Sequence, residues 1–267
     1  MTTTLHRLRQ MKQQGQRFAC ITAYDASFAW LAATAGIEVL LVGDSLGMVV
    51  QGQSSTLPVT LTDMAYHTAC VARANSSSLI MADLPFMTYS DERQALDSAA
   101  QLMRAGAHLV KLEGGAWLAP SVEHLRRNGI PVCAHMGLTP QSVHVFGGYR
   151  VQGRGSEAGQ RLLSEARTLV AAGADLLLLE CVPRDLAAMI TQAVEIPVIG
   201  IGAGPGTDAQ VLVMHDLLGI DRGHKPARFV KNFLHGEDGI LGAFRAYAAA
   251  VRDGSYPSDE HCFSQNA

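Results

Sequence analysis

Five short apolar runs of strand length each lead to a residue that can bind a metal ion or move a proton. These residues are Asp44, Asp83, Glu113, His135 and Glu180. Carboxylates are ligands for hard cations, and carboxylate and imidazole groups are common general acids and bases. In β/α proteins the chemistry lies where parallel strands end and loops begin, so residues distant in sequence can share one pocket. The pattern predicts an active site at these strand ends.

Asp44 and Asp83 predict a metal site. They follow successive strands, so their oxygens can meet on one hard cation such as Mg²⁺, which takes few protein ligands and leaves positions for water and substrate. The alternative is that each aspartate caps the turn or helix after its strand, and the sequence Ser45-Leu46-Gly47 is itself typical of a turn. Only the convergence of the two strand ends favours metal binding.

Lys111 and Glu113 lie two residues apart on one strand, so their side chains point to the same face. In a barrel that face is the interior, where a buried charge needs a partner. One interpretation is a structural ion pair between them. The functional interpretation is that Lys111 binds a substrate carboxylate and Glu113 belongs to the metal site.

His135 and Glu180 are the candidates for proton transfer. His135 ends its strand and could donate to a substrate oxygen, or it could be a core histidine with its hydrogen bonds satisfied. Glu180 follows four leucines and should enter a dry pocket, where loss of hydration makes a carboxylate a stronger base. We therefore predict Glu180 as the general base.

The elements that position these residues form a repeat of helical pattern, glycine turn and buried strand. Eight apolar runs lack polar alternation, as expected for strands covered on both faces. They are Phe18–Ala23, Val39–Gly43, Leu79–Ala82, Leu109–Leu112, Val132–Ala134, Leu176–Leu179, Pro197–Gly202 and Val211–Met214. Eight strands predict an α/β fold of the (β/α)₈ barrel type, and an open doubly wound sheet is the alternative.

Helical patterns fill the intervals, and Thr62 and Ser90 are predicted N-caps. Leu5, Leu8 and Met11 form the apolar stripe of a leading N-terminal helix. No linker or second domain is indicated. We predict one barrel domain over residues 1–254 and a C-terminal tail over residues 255–267.

Two glycine-rich segments are predicted as loops at the barrel mouth. Residues 146–154 are polar and glycine-rich, and their length suits a mobile lid. Residues 200–206 superficially match a dinucleotide-binding motif but lack its spacing and its βαβ context. We interpret them as a tight turn that permits close approach of the backbone to a ligand.

Composition restricts the partners. The chain has 267 residues, 48% hydrophobic and 17% charged, with a formal net charge of −3 and no basic cluster suited to nucleic acid or an anionic membrane. A small molecule is the expected partner. The five cysteines are odd in number and lie mostly in apolar runs, which indicates reduced thiols and, with no signal-like stretch, a cytoplasmic protein.

Several segments together resemble one known family, the ketopantoate (3-methyl-2-oxobutanoate) hydroxymethyltransferases. The resemblance rests on residues 42–48, 82–86, 111–115, 134–141 and the loop 146–154. It extends in order over roughly residues 5 to 255. Each block is weak evidence alone, and the ordered set is specific.

The resemblance implies a (β/α)₈ barrel that uses Mg²⁺ and 5,10-methylenetetrahydrofolate to add a hydroxymethyl group to 3-methyl-2-oxobutanoate, giving ketopantoate for pantothenate and coenzyme A synthesis. The residues that match the family's metal site are Asp44, Asp83 and Glu113. Those that match substrate-binding positions are Asp44, Ser45, Asp83, Lys111 and His135. Glu180 matches the catalytic base. Family members form decamers, so a homo-oligomer is expected.

Two alternatives stay open. A Mg²⁺-dependent carbon–carbon lyase or phosphonomutase of the phosphoenolpyruvate/pyruvate-binding barrels would also handle a 2-oxoacid, but such lyases usually carry a Lys-Lys-Cys-Gly-His type loop, which this sequence lacks. A non-catalytic barrel that senses an oxoacid is the other. The complete set of acid, base and cation argues against it.

Overall fold

Eight parallel strands pair in chain order and close into a barrel in the computed structural model, which describes residues 2–220, 223 and 225–265. β8 pairs with β1 and completes the ring. The strands are β1 (Phe18–Thr22), β2 (Val39–Val42), β3 (Leu79–Asp83), β4 (Leu109–Glu113), β5 (Val132–Gly137), β6 (Leu176–Glu180), β7 (Val198–Ile201) and β8 (Ala209–Leu212). The predicted barrel is confirmed, and the open sheet is wrong.

Helices connect successive strands from β1 to β7, whereas β7 and β8 are joined by a loop; one helix precedes β1, and the last two helices follow β8. The helices are α1 (Leu5–Gln13), α2 (Ala26–Thr34), α3 (Leu46–Val49), α4 (Leu61–Ala74), α5 (Glu92–Ala105), α6 (Ala119–Arg127), α7 (Val143–Phe146), α8 (Ser156–Ala171), α9 (Arg184–Ala193), α10 (Met214–Leu217) and α11 (Gly239–Asp253). Short 3₁₀ turns occupy Ala116–Leu118, Pro140–Ser142 and Asp259–His261. Within the described part of the chain, no helix is long and apolar enough to cross a membrane.

Alternate residues of each strand belong to two separate apolar clusters. In β1, Phe18 and Cys20 pack in the cluster inside the barrel, whereas Ala19 and Ile21 pack in the larger cluster beneath the helices. All four are fully buried. Because both faces of the strand are covered, its sequence is apolar throughout, which is why the strands show no polar alternation.

The inward face changes character along four of the strands. In β3, for example, Leu79 and Met81 belong to the interior cluster, and the next inward position is Asp83. The same alternation brings Glu180 into line after Leu176 and Leu178 in β6. The barrel interior therefore has an apolar floor and a polar layer at the carboxyl ends of the strands.

The leading helix α1 closes the opposite end of the barrel. Leu8 and Met11 are buried in the interior cluster. Arg9 pairs with Asp175 at 2.6 Å and Lys12 with Asp208 at 2.9 Å, and both aspartates come just before a strand begins. The predicted helix is confirmed, and it covers the amino ends of the strands.

The last strand lies two residues earlier than predicted. β8 spans Ala209–Leu212, whereas the apolar run suggested 211–214. The polar residue Gln210 concealed it, because its buried side chain takes part in the fold: the amide donates to Gly204 O at 3.0 Å and to Thr207 Oγ1 at 2.8 Å. A polar residue in the sequence therefore did not mark the end of the strand, because its side chain finds hydrogen-bond partners inside the fold.

Both predicted helix caps were wrong by a residue or two. The cap of α4 is Thr60 rather than Thr62, and it forms a reciprocal capping box with Asp63. The cap of α5 is Asp91 rather than Ser90. In each case the residue with extended backbone and a side-chain acceptor aimed at the first turn begins the helix.

The C-terminal segment returns to the barrel after α11. Tyr256 is buried and its ring makes edge contacts with Phe233 and Tyr247. Its hydroxyl donates to Phe229 O at 2.5 Å. Residues 266 and 267 of the predicted tail lie outside the described residues, and the division into a barrel (1–254) and a tail (255–267) stays a prediction.

Candidate active site

One cavity of about 810 Å³ opens at the carboxyl ends of the strands. The seven residues singled out from the sequence all line it: Asp44, Ser45, Asp83, Lys111, Glu113, His135 and Glu180. They come from the ends of four strands, β3 to β6, and from the turn after β2. The structure thus brings together every predicted site residue in the place where β/α barrels carry their chemistry.

Strand register places the charged residues side by side. Asp83 in β3 lies opposite Lys111 in β4, and Glu113 in β4 lies opposite His135 in β5. Lys111 Nζ is 3.2 Å from Asp83 Oδ1, 3.5 Å from Glu113 Oε1 and 3.1 Å from His135 Nδ1. The lysine is therefore the central cation of a buried polar cluster.

His135 connects this cluster to the predicted base. Its Nδ1 lies 3.2 Å from Glu113 Oε1, and its Nε2 lies 3.2 Å from Glu180 Oε2. Because Lys111 Nζ can only donate, a neutral ring accepts at Nδ1 and carries its proton on Nε2. Nε2 then carries a proton in either ionisation state and lies near Glu180 Oε2, although it makes no hydrogen bond with a described residue.

Asp44 and Asp83 form a buried pair of acids held by the backbone. The amide of Asp44 donates to Asp83 Oδ2 at 3.0 Å. Burial, together with the charges of Asp83 and Glu113, raises the pKa of Asp44 well above its usual range. Burial also raises the pKa of Asp83, although Lys111 opposes the rise. Both acids would ionise more readily with further positive charge beside them.

Glu113 and Lys111 hold their charges as a pair. Burial disfavours the charged carboxylate, yet Lys111 and His135 outweigh it and lower the pKa of Glu113 to about 2. Burial likewise disfavours the charged ammonium, but Asp83 and Glu113 raise the pKa of Lys111 above its usual value. For His135, Glu113 and Glu180 raise the pKa despite burial and the nearby lysine. The cluster keeps Lys111 and Glu113 ionised.

Gln141 is a site residue that the sequence did not reveal. Its side-chain amide donates to Asp44 Oδ2 at 2.8 Å and to Leu84 O at 3.0 Å, and its backbone N–H donates to Glu113 Oε2 at 3.0 Å. The hydroxyl of Tyr89 donates to Gln141 Oε1, which fixes the orientation of the amide. Gln141 thus ties the aspartate pair to the lysine cluster.

Ser45 is positioned by a second residue that the sequence did not reveal, Tyr24. The two hydroxyl groups lie 2.9 Å apart. Burial raises the pKa of Tyr24, so this hydroxyl stays protonated. The pair places a neutral hydroxyl next to Asp44.

Glu180 sits on a constrained backbone at the end of β6. The next residue, Cys181, has φ +47°, a conformation that a residue with a side chain rarely adopts. Glu180 O accepts from Leu138 N at 2.8 Å, across from Gly137. The Glu180 side chain is 17% exposed, so it keeps some contact with solvent and is less desolvated than the sequence suggested.

The two glycine-rich segments both border the site. In the segment 146–154, Tyr149 lines the cavity and Gln152 N donates to Cys181 O at 2.9 Å. Its mobility as a lid stays a prediction. The turn 200–206 is present, and the groups packed against it belong to the protein: an added Cβ at Gly202 would lie 2.7 Å from a ring atom of Phe229.

A metal site here would need ligands from outside the chain. Among the residues that the structure describes, no three His, Cys, Asp or Glu side chains are arranged to hold a metal ion. Asp83 Oδ1 is buried and accepts no hydrogen bond from a described residue, although Lys111 Nζ is near it. The donor set suits a hard cation that keeps positions for water and substrate.

The family comparison identifies close relatives. The sequence matches the profile of the family described as ketopantoate hydroxymethyltransferase over residues 2–259. It is 59% identical over 263 residues to the 3-methyl-2-oxobutanoate hydroxymethyltransferase of Marinobacter nauticus, covering 98% of this chain and 99% of that protein. It is 60% identical over 261 residues to the enzyme of that description from Erwinia tasmaniensis, covering 98% of each chain.

Solved structures share the fold at low sequence identity. The 2,3-dimethylmalate lyase of the PEP mutase/isocitrate lyase superfamily superposes with a TM-score of 0.60 at 21% identity, covering 82% of this chain and 84% of that one. Phosphonopyruvate hydrolase gives a TM-score of 0.63 at 14% identity, covering 83% and 85%. At this identity the likeness shows a common barrel architecture only.

Proposed function

The chain belongs to the ketopantoate hydroxymethyltransferase family, and from that premise we propose how its cavity carries out the reaction. The reaction transfers a hydroxymethyl group from 5,10-methylenetetrahydrofolate to 3-methyl-2-oxobutanoate and gives ketopantoate for pantothenate synthesis. The observation that carries the proposal is the chain of contacts from Asp83 through Lys111 and His135 to Glu180. It supports an arrangement in which a cation, a hydrogen-bond donor and the base share one wall of the cavity.

We propose that Asp44 and Asp83 hold Mg²⁺, with the remaining ligands supplied by substrate and water. Both acids are buried with raised pKa values, and Asp83 Oδ1 accepts no hydrogen bond from the described residues. Lys111 alone faces three buried carboxylates, so an anionic oxoacid would be repelled without further positive charge. When bound, Mg²⁺ polarises the 2-oxo group and stabilises negative charge that develops on it.

Glu113 has a separate role in this proposal. Its assignment as a metal ligand stays a prediction, because Oε1 already contacts Lys111 and His135 and Oε2 accepts from Gln141 N. These contacts support a positioning role: Glu113 keeps the lysine charged and holds the imidazole against Glu180. Lys111 would then attract the substrate carboxylate, and Ser45 Oγ would donate to the oxoacid at the turn after β2.

Glu180 is the proposed base at C3 of the oxoacid. It is the most exposed carboxylate of the polar layer, and His135 Nε2 lies 3.2 Å from its Oε2. Removal of the C3 proton gives an enolate, whose C3 forms a carbon–carbon bond to the methylene carbon of the folate. Both carbon–nitrogen bonds of the folate methylene group break, water supplies the hydroxyl oxygen, and tetrahydrofolate leaves. The C3 proton held by Glu180 and one proton of the water pass to the two folate nitrogens, which balances the exchange.

The test separates proton removal from transfer. Enzyme with Mg²⁺ and no folate should exchange the C3 hydrogen of 3-methyl-2-oxobutanoate with deuterium from solvent, as followed by NMR. Glu180→Gln should slow this exchange by about 10²-fold or more, as expected for loss of a general base. Glu195→Gln, on the exposed loop before β7, is the matched control. Full exchange in Glu180→Gln would exclude it as the base.

The other functional alternatives lose support. The match to the transferase family covers residues 2–259, whereas the likeness to lyases and hydrolases is one of fold. A binding-only barrel would have no use for the ordered set from Lys111 to Glu180. Measured turnover with methylenetetrahydrofolate decides this point directly.

We also propose a cytoplasmic homo-oligomer. The five cysteines are free, and four are buried, as suits a reducing compartment. Large apolar side chains such as Trp30 on α2 and Tyr66 on α4 are 55% and 65% exposed, a feature of surfaces that associate. The decamer stays a prediction, which light scattering after size-exclusion chromatography would test.

A further inference from the structure

The cavity has an apolar part that the chemistry described so far does not use. The acids, Lys111 and His135 line one side of it, where the small oxoacid would sit. The rest of the wall comes from other elements and includes Met48, Val49, Ile220, Phe229 and Phe263. At about 810 Å³ the cavity is in the upper range for small-molecule sites and exceeds what the oxoacid fills.

Two phenylalanine rings form one side of this apolar part. Phe229 comes from the chain between α10 and α11, and Phe263 from the C-terminal segment. Both are partly exposed and line the cavity. They meet at Gly202 in the turn after β7, where an added Cβ would lie 2.7 Å from Phe229 Cδ1 and 3.1 Å from Phe263 Cε2. The glycine allows both rings to approach the backbone.

The rings are held in place by hydrogen bonds of their own backbone. Phe263 O accepts from Arg184 N at 3.0 Å, and the preceding carbonyl of Cys262 accepts from Arg228 Nη1 at 3.3 Å. Phe229 O accepts from the Tyr256 hydroxyl. The Arg228 guanidinium also lies 5.9 Å from the Phe263 ring centroid. An aromatic surface fixed before the ligand arrives binds at lower entropic cost.

We propose that Phe229 and Phe263 bind the flat pterin ring system of the reduced folate. This inference rests on the proposed function, because it assigns the second substrate to the part of the cavity beside the oxoacid site. A planar heteroaromatic ring gains stacking energy on an aromatic side chain whatever its hydrogen-bonding pattern. Both rings line the same cavity as Glu180, so a one-carbon donor bound on them would share that cavity with the base.

The proposal gives the C-terminal segment a function. Residues 256–265 pack against the barrel and supply one wall of a substrate site. Phe263 lies beyond α11, and no strand end leads to it. A variant in this segment should therefore change folate binding while the oxoacid chemistry of the strand ends continues.

The experiment compares Phe263→Ala, Phe263→Leu and Phe229→Ala with wild type and with Met189→Ala. Met189 is a large exposed side chain on α9 that does not line the cavity. Three quantities are measured: KM for methylenetetrahydrofolate, Kd for tetrahydrofolate by calorimetry, and folate-free deuterium exchange at C3 of the oxoacid. Circular dichroism confirms that each variant is folded.

We expect the alanine variants to weaken folate binding by about ten-fold or more, the usual scale for loss of an aromatic stacking partner. C3 exchange should stay at the wild-type rate, as in Met189→Ala. Phe263→Leu should recover less than half of the lost affinity if stacking, rather than apolar bulk, is responsible. Unchanged KM and Kd in both alanine variants would overturn the proposal.

The outcomes also distinguish this inference from the function on which it rests. Absence of exchange in the wild-type enzyme would count against the proposed base chemistry, whatever the folate affinity of the variants. Loss of exchange and folate binding together in a folded Phe263→Ala would overturn the inference, since the ring would then support the whole cavity. Should Phe263→Ala fail to fold, Phe229→Ala and Phe263→Leu decide.

Discussion

Lys111 is the central charge of the site. Its ammonium group is buried beside Asp83, Glu113 and His135, and the acids around it outnumber it. Such an arrangement is unfavourable by itself, because burial of an ion costs more than its partners return unless the charges balance. The residues that make the site reactive toward a cation therefore also reduce the stability of the folded chain.

Asp44→Asn tests this balance. Removal of one buried charge should raise the free energy of unfolding without metal by about 1 kcal/mol or more, since Asn retains an acceptor for the Gln141 amide. In wild type, Mg²⁺ at about 100 times its Kd should add about 2.7 kcal/mol. The variant should gain almost nothing from Mg²⁺.

Thermal unfolding with and without Mg²⁺ measures both effects. Asp97→Asn, an exposed position on α5, is the control and should respond to Mg²⁺ as wild type does. An equal stabilisation of Asp44→Asn by Mg²⁺ would contradict the assignment of the metal to this aspartate.

At the residue scale, the sequence revealed side chains whose charge stands out against an apolar strand. Asp83 and Glu180 are such residues, and both line the cavity. Gln141 lies in a short 3₁₀ turn and Tyr89 in a loop; both are neutral, and polar residues are ordinary in such connections, so no local signal separates them from their neighbours. The weak signal for Gln141 was its place in the segment 134–141, just after the strand that carries His135.

The residues at the strand ends form one site because the register of the barrel strands places them next to each other. Asp83 lies opposite Lys111, and Glu113 opposite His135, so adjacent strands convert separate sequence positions into neighbouring side chains. Gly137 in β5 lies opposite Glu180 in β6 and has φ +88°. A Cβ there would lie 2.4 Å from Glu180 O, so this glycine permits the close approach that places the base.

Gly137→Ala should therefore do more harm than an ordinary substitution at positive φ. Gly129→Ala is a matched control, because Gly129 has φ +80° and open space around it. We expect the control to lose about 1–2 kcal/mol of unfolding free energy from backbone strain. Gly137→Ala should lose about 1–3 kcal/mol more from overpacking and should slow C3 exchange.

Urea unfolding and the exchange assay give the comparison. Equal losses in the two variants, with exchange intact, would show that Gly137 has no part in positioning Glu180.

Element positions followed from sequence where burial on both faces left an apolar run, and the strands β1 to β7 are examples. They failed at β8, where Gln210 interrupts the run, and at the caps of α4 and α5. Those details depend on contacts made only in the folded chain: a side chain satisfied by Gly204 and Thr207, and a cap chosen by backbone conformation. Local pattern cannot encode them.

The whole molecule is a barrel whose amino end is sealed by α1. Leu8 is fully buried there among residues of the barrel interior, and Lys12 and Arg9 attach the helix to aspartates that precede two strands. The sequence indicated the apolar stripe of this helix but not its packing partner. An apolar stripe predicts that one face of the helix is buried, and it does not identify the element that covers that face.

Leu8→Ala tests how much the packing of α1 against the barrel contributes to the free energy of unfolding. Removal of a fully buried leucine side chain should reduce the free energy of unfolding by about 2–5 kcal/mol. Leu5→Ala, at a partly buried position of the same helix, should cost less. Urea denaturation gives both values, and a loss below about 1 kcal/mol for Leu8→Ala would mean that α1 is peripheral to the interior core.

In the described part of the chain, α1 closes the amino end of the barrel and the cavity opens at the carboxyl end, so both substrates and both products would use the same opening. An oxoacid held at Lys111 lies deeper than a pterin held at Phe229 and Phe263. The oxoacid would therefore bind before the folate, and its product would leave after tetrahydrofolate, which gives an ordered kinetic mechanism. Folate that arrives early would block the entrance, and abundant one-carbon donor would then slow turnover instead of speeding it.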